Sequence, residues 1–169
     1  LRIAGVPVGR EIADLLPCYA GAGLPPVEAQ RARCAEGSAA PDPEERGSII
    51  IVIATDAPLL PHQLKKVVKR ASLGVGKMGG IGGNSSGDIF IAFSTANPEA
   101  ARPTGTVSLT MLPNERINPI YEATVQATEE AILNALVAAE TMTGANDLRV
   151  SALPHERLRQ VLARYNRLA

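Results

Sequence analysis

Gly47-Ser48-Ile49-Ile50-Ile51-Val52-Ile53-Ala54-Thr55 is the stretch on which the fold turns. Five consecutive β-branched aliphatic residues, bounded by a Gly-Ser step and by Asp56-Ala-Pro, read as a buried strand over Ser48–Thr55. The step that opens it carries chemical interest. A hydroxyl at the first residue of a strand is where a self-cleaving hydrolase would put its nucleophile. If the Gly47-Ser48 bond breaks, Ser48 gains a free α-amine, which titrates near pH ~8 and can act as base for its own hydroxyl. Taken locally, the commoner reading of such a step is a Gly-Ser turn leading into a core strand.

Upstream, residues 10–47 are poorly periodic and carry Pro17, Pro25, Pro26, Pro41 and Pro43. So long a loop is uncommon in a compact domain and points to function or processing. An exposed polar stretch of this kind is also where a chain tolerates nicking. Residues 1–9, interrupted by Gly5 and Pro7, read as a short strand or strand end. The chain opens on Leu1 in what resembles mid-domain sequence, so an upstream segment is expected.

Downstream, Leu64, Val67, Val68 and Ala71 recur at helical spacing, with Lys65, Lys66, Lys69 and Arg70 as a solvated polar face. Residues 74–87 are glycine-rich. Asp88–Ser94 and Thr106–Leu112 read as strands, separated by turn signals at Asn97-Pro98 and Arg102-Pro103-Thr104-Gly105. The longest helix pattern runs from Asn118 to Thr143, ending before Gly144, and is apolar on several faces. A last helix begins at Pro154, with Leu158, Val161, Leu162 and Tyr165 in phase. Strand, helix, two strands and two helices make a layered α/β or α+β arrangement.

At 169 residues with 46% hydrophobic and 20% charged content, the chain supports a real core and is not disordered. Basic and acidic residues cancel at 17 each, and five aromatics without Trp make a nucleic-acid platform a poor fit. The apolar runs are strand-length or broken by polar residues, which argues against a membrane span. Cys18 and Cys34 lack the spacing of a metal site; an unpaired thiol is the default reading, a bridge requiring an oxidising compartment.

Among candidate motifs, Gly74-Val-Gly-Lys-Met-Gly79 matches a dinucleotide fingerprint in form only, because it follows a helix rather than a strand. Ser86-Gly87-Asp88 offers more. In strand geometry positions 86 and 88 share one face, about 6.5–7 Å apart, setting a hydroxyl beside a carboxylate. Alone, the triplet reads more often as a turn whose Asp caps backbone amides. His62 and His155 each sit at a helix start without a supporting motif, and no Gly-x-Ser-x-Gly elbow surrounds Ser48. A Ser-His-Asp triad is therefore disfavoured.

Read together, these segments resemble the DmpA-like aminopeptidases, a family that includes the L-aminopeptidase/D-esterases and the β-peptidyl aminopeptidases. The likeness is carried by Gly47-Ser-Ile-Ile-Ile-Val-Ile-Ala-Thr-Asp-Ala-Pro-Leu-Leu-Pro61 and Ser86-Gly-Asp-Ile-Phe-Ile-Ala-Phe-Ser-Thr-Ala-Asn97. Tyr121–Leu136 and Arg2-Ile-Ala-Gly-Val-Pro-Val-Gly9 add to it, leaving only a variable loop at about 15–45 outside.

The resemblance implies an α+β fold, an αββα sandwich of the DmpA and ornithine-acetyltransferase type, with the N-terminal part of the domain lying upstream. It implies self-cleavage between Gly47 and Ser48, with residues 1–47 ending the α chain and 48–169 forming the β chain of one domain. Ser48 becomes the nucleophile of a serine aminopeptidase acting on peptides, amides or esters. Ser86 and Asp88 become the pair on its hydroxyl, Asp88 standing where some relatives carry Glu. No cofactor or metal is implied. The partners implied are the upstream α-chain segment, which holds the oxyanion Asn, a substrate, and further αβ units in a homo-oligomer, with no nucleic acid or membrane. A cytoplasmic location is expected, a periplasmic or exported one remaining open. The related acyltransferases use Thr at the new N-terminus, against which Ser48 discriminates, and a non-catalytic module of the same fold is the alternative from another class.

Overall fold

A computed structural model describes residues 1–21, 34 and 47–168. The chain divides into two compact units, residues 46–130 and residues 1–45 with 131–169.

The 46–130 unit is built on a β-α-β crossover. Strand β2 (Ile50–Thr55) pairs in parallel with β3 (Ile89–Ser94), in a register that sets Ile50 opposite Ile89 and Thr55 opposite Ser94. Parallel neighbours need a long connection. Helix α2 (Pro61–Lys77) supplies it, opening with Pro at its first position, where the missing N–H costs nothing. Leu59, Val67 and Ile117 form the buried centre, packed by Ile53, Ala57, Leu64, Leu112, Ile120 and Tyr121.

Gln63, fully buried in the first turn of α2, ties three elements together. Its Oε1 accepts from Leu60 N–H at 3.1 Å, while Nε2 donates to Leu112 C=O at 2.8 Å and Asn114 Oδ1 at 3.0 Å. A buried amide is tolerable only when its polar atoms are paired in this way.

The glycine-rich stretch expected to follow α2 begins inside it. At Gly74 an added Cβ would lie 2.7 Å from Thr128 Cβ and 2.9 Å from the Val125 carbonyl oxygen on α3 (Asn118–Ala138). Glycine here allows helix-to-helix contact. Lys77, in the same motif, pairs with Glu129. Within the motif Gly74 serves helix packing and Lys77 an ion pair.

The helix pattern read to Thr143 stops at Ala138. Met142–Thr143 instead form strand β4, hydrogen-bonded antiparallel to β5 (Leu148–Val150), because β-branched and unbranched residues beyond the helix find a strand partner. On α3 the buried side chains are Thr124 and Thr128, whose hydroxyls bond back to the carbonyls of Ile120 and Thr124 at 2.7 and 2.8 Å. That face escapes a reading based on aliphatic residues.

The other unit holds a three-stranded antiparallel sheet in the order β1-β5-β4, with β1 at Cys18–Tyr19. Residues 1–9 are not a strand. Ile3 and Val6 form a single bridge around Ala4 and Gly5, both at positive φ, and α1 (Val8–Glu11) follows directly. With α1 and β1 present, the expected featureless span from residue 10 is structured as far as Gly21, and most of its remainder lies outside the described residues. Helix α4 (His155–Arg164) is tied to this region by Arg157 to both carboxylate oxygens of Asp14 (2.7 and 2.8 Å) and by Arg164 and Tyr165 to Glu11. Cys18 and Cys34 are joined in a disulfide with a Cα–Cα distance of 5.0 Å, which corrects the free-thiol reading. Spacing in sequence carried no information on that approach.

Two further expectations are revised. Thr106–Leu112 forms no strand: it is mostly exposed, held at Thr110, whose N–H and C=O bond the side-chain amide of Asn97 at 2.8 and 3.1 Å, and at Leu112, whose N–H donates to Pro58 C=O at 2.7 Å. Among the described residues it has no ladder partner. The β2 strand, read as buried, is half-buried on one face and exposed on the other. Ile50, Val52 and Ala54 lie exposed beside Ile89, Ile91 and Phe93.

Candidate active site

Ser48 stands just before β2, at the open end of the crossover, and both Gly47 and Ser48 are exposed. The register that sets Ile50 opposite Ile89 places Ile49 opposite Asp88 and Ser48 opposite Gly87. Both connections follow from the sequence: the β-branched run 49–53 and the apolar run Ile89-Phe90-Ile91 pair as strands, and each begins where its Gly-containing loop ends.

The contacts at this end are specific. Gly87 N–H donates to Ser48 Oγ at 2.9 Å. Ile49 N–H donates to Asp88 Oδ1 at 2.9 Å, and Ile89 N–H donates to Ile49 C=O at 3.0 Å. Ser48, its neighbour Ile49 and the loop 86–88 are thereby held as one rigid corner.

The structure brings all four candidates, Gly47, Ser48, Ser86 and Asp88, to this corner, but in a different pattern from the one the spacing implies. Exposure alternates along the loop, with Ser86 and Asp88 half-buried and Gly87 exposed between them. Ser86 and Asp88 thus share a side, as strand geometry requires. Yet it is the intervening Gly87 backbone that bonds the Ser48 hydroxyl, while Asp88 bonds the next amide along. Ser86 is anchored through its own N–H to Gly83 C=O at 2.9 Å.

Sequence reasoning passed over Gly87 and the Ile49 amide. A backbone donor leaves no mark on residue type, although the strand register, once known, leads straight to it. An added Cβ at Gly87 would meet Ser48 Oγ at 3.4 Å, ordinary van der Waals contact.

The two histidines do not join this corner by any hydrogen bond. His62 is exposed in the first turn of α2, and His155 Nε2 lies 2.9 Å from Val137 C=O. Among the described residues no three His, Cys, Asp or Glu side chains gather into a metal-sized cluster, and no helix is long and apolar enough to cross a membrane.

An exposed serine thus stands at a strand head, its hydroxyl accepting from a backbone N–H, with a carboxylate on the amide that follows. The family model for peptidase family S58 matches residues 1–150. The chain belongs to peptidase family S58. It is 50% identical over 171 residues to the β-peptidyl aminopeptidase BapA of Sphingosinicella microcystinivorans, covering 100% of this chain and 41% of that protein. The corresponding enzyme of Sphingosinicella xenopeptidilytica is 42% identical over 170 residues, covering 99% of this chain and 40% of its own length.

Among solved structures, the L-aminopeptidase D-Ala-esterase/amidase of Ochrobactrum anthropi superposes with a TM-score of 0.74 at 41% identity, over 100% of this chain and 40% of that one. That protein is a prototype for the serine aminopeptidases and a variant of the Ntn hydrolase fold. The α+β fold class is shared with it, as expected. The chain spans about two fifths of the length of the relatives it matches.

Proposed function

We propose that this polypeptide carries the nucleophile of a self-cleaving serine aminopeptidase, and that Ser48 is that nucleophile. The observation that carries the reading is the Ser48 hydroxyl itself: exposed at the head of β2, next to a glycine, and oriented by Gly87 N–H. In maturation Ser48 Oγ attacks the Gly47 carbonyl, and the resulting ester is hydrolysed by water. Gly47 is exposed and a Cβ there would meet nothing within 4 Å, so the step is uncrowded. The mature Ser48, with its free α-amine as base, then attacks the carbonyl that follows a substrate's N-terminal residue. An acyl-enzyme forms, the amine leaves, and water completes the cycle.

Asp88 is assigned to holding the Ser48–Ile49 backbone, and Ser86 to the polar lining beside it. Residues 1–47 end one mature chain and 48–169 begin the other. The 50% identity to a β-peptidyl aminopeptidase supports peptides with an N-terminal β-residue as the substrate class.

The partner of this segment is the rest of the same precursor. A parallel sheet is ordinarily covered on both faces. The bare row of Ile50, Val52, Ile89, Ile91 and Phe93 supports its burial by the polypeptide that completes the relatives' length. Assembly of the αβ units into a homo-oligomer belongs to the same reading. The Cys18–Cys34 disulfide supports an oxidising compartment over the cytoplasm, since such bridges persist where thiols are not kept reduced.

Ser48→Ala in the full-length protein tests the assignment. The variant is expected to remain a single chain and to release no aniline from aminoacyl or β-aminoacyl anilides. A variant that still splits and still hydrolyses them refutes it.

A further inference from the structure

The ladder between β2 and β3 ends at Ile50 and Ile89, and where the next backbone donors go gives Gly87 a second role. Ile89 N–H donates to Ile49 C=O and Thr95 N–H donates to Thr55 C=O, each at 3.0 Å. Rungs of a parallel pair recur at every second residue. Continued below Ile89, the pattern would join Ile49 N–H to Gly87 C=O and then Gly87 N–H to the Gly47 carbonyl oxygen, which belongs to the bond proposed to be cut. Neither rung is made: Ile49 N–H goes to Asp88 Oδ1 and Gly87 N–H to Ser48 Oγ, each at 2.9 Å.

The donor that holds the attacking oxygen is thus the one that, were the register continued, would meet the oxygen of the attacked carbonyl. We propose that the Gly87 amide is the oxyanion donor of the self-cleavage step, an inference that rests on Ser48 being the nucleophile. In the resting chain Gly87 N–H orients Oγ. As Oγ bonds to the Gly47 carbonyl carbon, charge moves to the carbonyl oxygen, and the N–H shifts to it, completing the rung. The Gly47–Ser48 C–N bond then breaks, the hydroxyl proton ends on the departing Ser48 amine, and an ester links Gly47 to Ser48 Oγ. Water hydrolyses that ester, leaving the Gly47 carboxylate and the free hydroxyl. A donor aimed at developing charge stabilises the transition state more than the ground state.

The donor is removed without altering any side chain by replacing Gly87 with glycolate in the full-length precursor, which turns the Ser86–Gly87 amide into an ester. Processing is expected to slow about 10²–10³-fold, as for loss of one oxyanion donor. Gly87→Ala, which keeps the N–H, is expected to process within about tenfold of wild type. Equal processing of the glycolate variant and wild type overturns the proposal, as does a Gly87→Ala defect as large as the glycolate one.

A second measurement stands apart from processing rates. In a crystal structure of the Ser48→Ala precursor, the released Gly87 N–H should bond the Gly47 carbonyl oxygen at hydrogen-bond distance. A Gly87 N–H found away from that oxygen refutes the proposal. Ser48→Ala separates the two claims: if it still processes, the nucleophile assignment falls, whereas if it is inert and the glycolate variant processes normally, only the role of Gly87 falls.

Discussion

Asp88 Oδ1 accepts the Ile49 amide N–H at 2.9 Å, so the carboxylate grips the residue that follows Ser48. A half-buried amide deprived of its acceptor loses about 1–3 kcal/mol. Asp88→Ala is expected to lower stability by that amount and to slow processing of the full-length protein at least tenfold. Asp88→Asn keeps an acceptor oxygen and should lose less than about 1 kcal/mol. Urea unfolding alongside a processing time course checks both. Equal losses in the two variants contradict a role through the Ile49 amide.

Gly74 marks a close approach of α2 to α3, with Thr128 and the Val125 carbonyl oxygen in the space a side chain would need. Gly74→Ala gains helix propensity worth about 1 kcal/mol but must push the helices apart, at about 1–3 kcal/mol for overpacking. A net loss is expected, growing with Gly74→Val. Thermal melts of the two variants decide the order, and a stabilised Gly74→Ala contradicts the packing account.

Gln63 is the only side chain among the described residues that ties the start of α2 to both Leu112 and Asn114. Gln63→Leu fits a similar volume but strands the Leu60 amide and the Leu112 carbonyl, at about 1–3 kcal/mol for each group left unpaired. Denaturant midpoints should fall accordingly. An unchanged midpoint rules the network out as a source of stability.

Asp14 is held below the usual carboxylate range first by its hydrogen bonds from Arg157, which outweigh desolvation. A carboxyl lowered in the folded state adds stability that is whole above its unfolded pKa and is lost as the pH falls through the folded one. Both groups are exposed, so the contribution is modest and salt-screened. Tyr165 runs the other way. Its hydrogen bond to Glu11 raises its pKa, so its contribution is whole below the ordinary tyrosine value and fades as the pH rises past the raised one. Comparing Asp14→Asn with wild type, the difference in melting temperature should shrink on acidification and in high salt. A difference constant with pH contradicts the pairing.

Much of the 46–130 unit is legible in the residues because its signals are local. The β-branched run before Asp56 and the run Ile89–Phe93 fix two strands, and Leu64, Val67 and Ala71 fix the face of the helix between them. What escaped depended on neighbours distant in sequence. The alternation of Thr106–Leu112 promises a strand, yet a strand exists only where a partner lies alongside. The Cys18–Cys34 bridge depends on a Cα approach that spacing does not encode. At the candidate site, Ser48, Ser86 and Asp88 are singled out by residue type and by the family resemblance, whereas Gly87 contributes a backbone N–H and becomes visible only once Ile50 is seen opposite Ile89.

Denaturing mass spectrometry of the full-length protein tests the central claim most directly. Two chains are expected, one ending at Gly47 and the other beginning at Ser48 with a free amine. A single mass for the intact polypeptide, in a preparation active on β-aminoacyl anilides, contradicts the account.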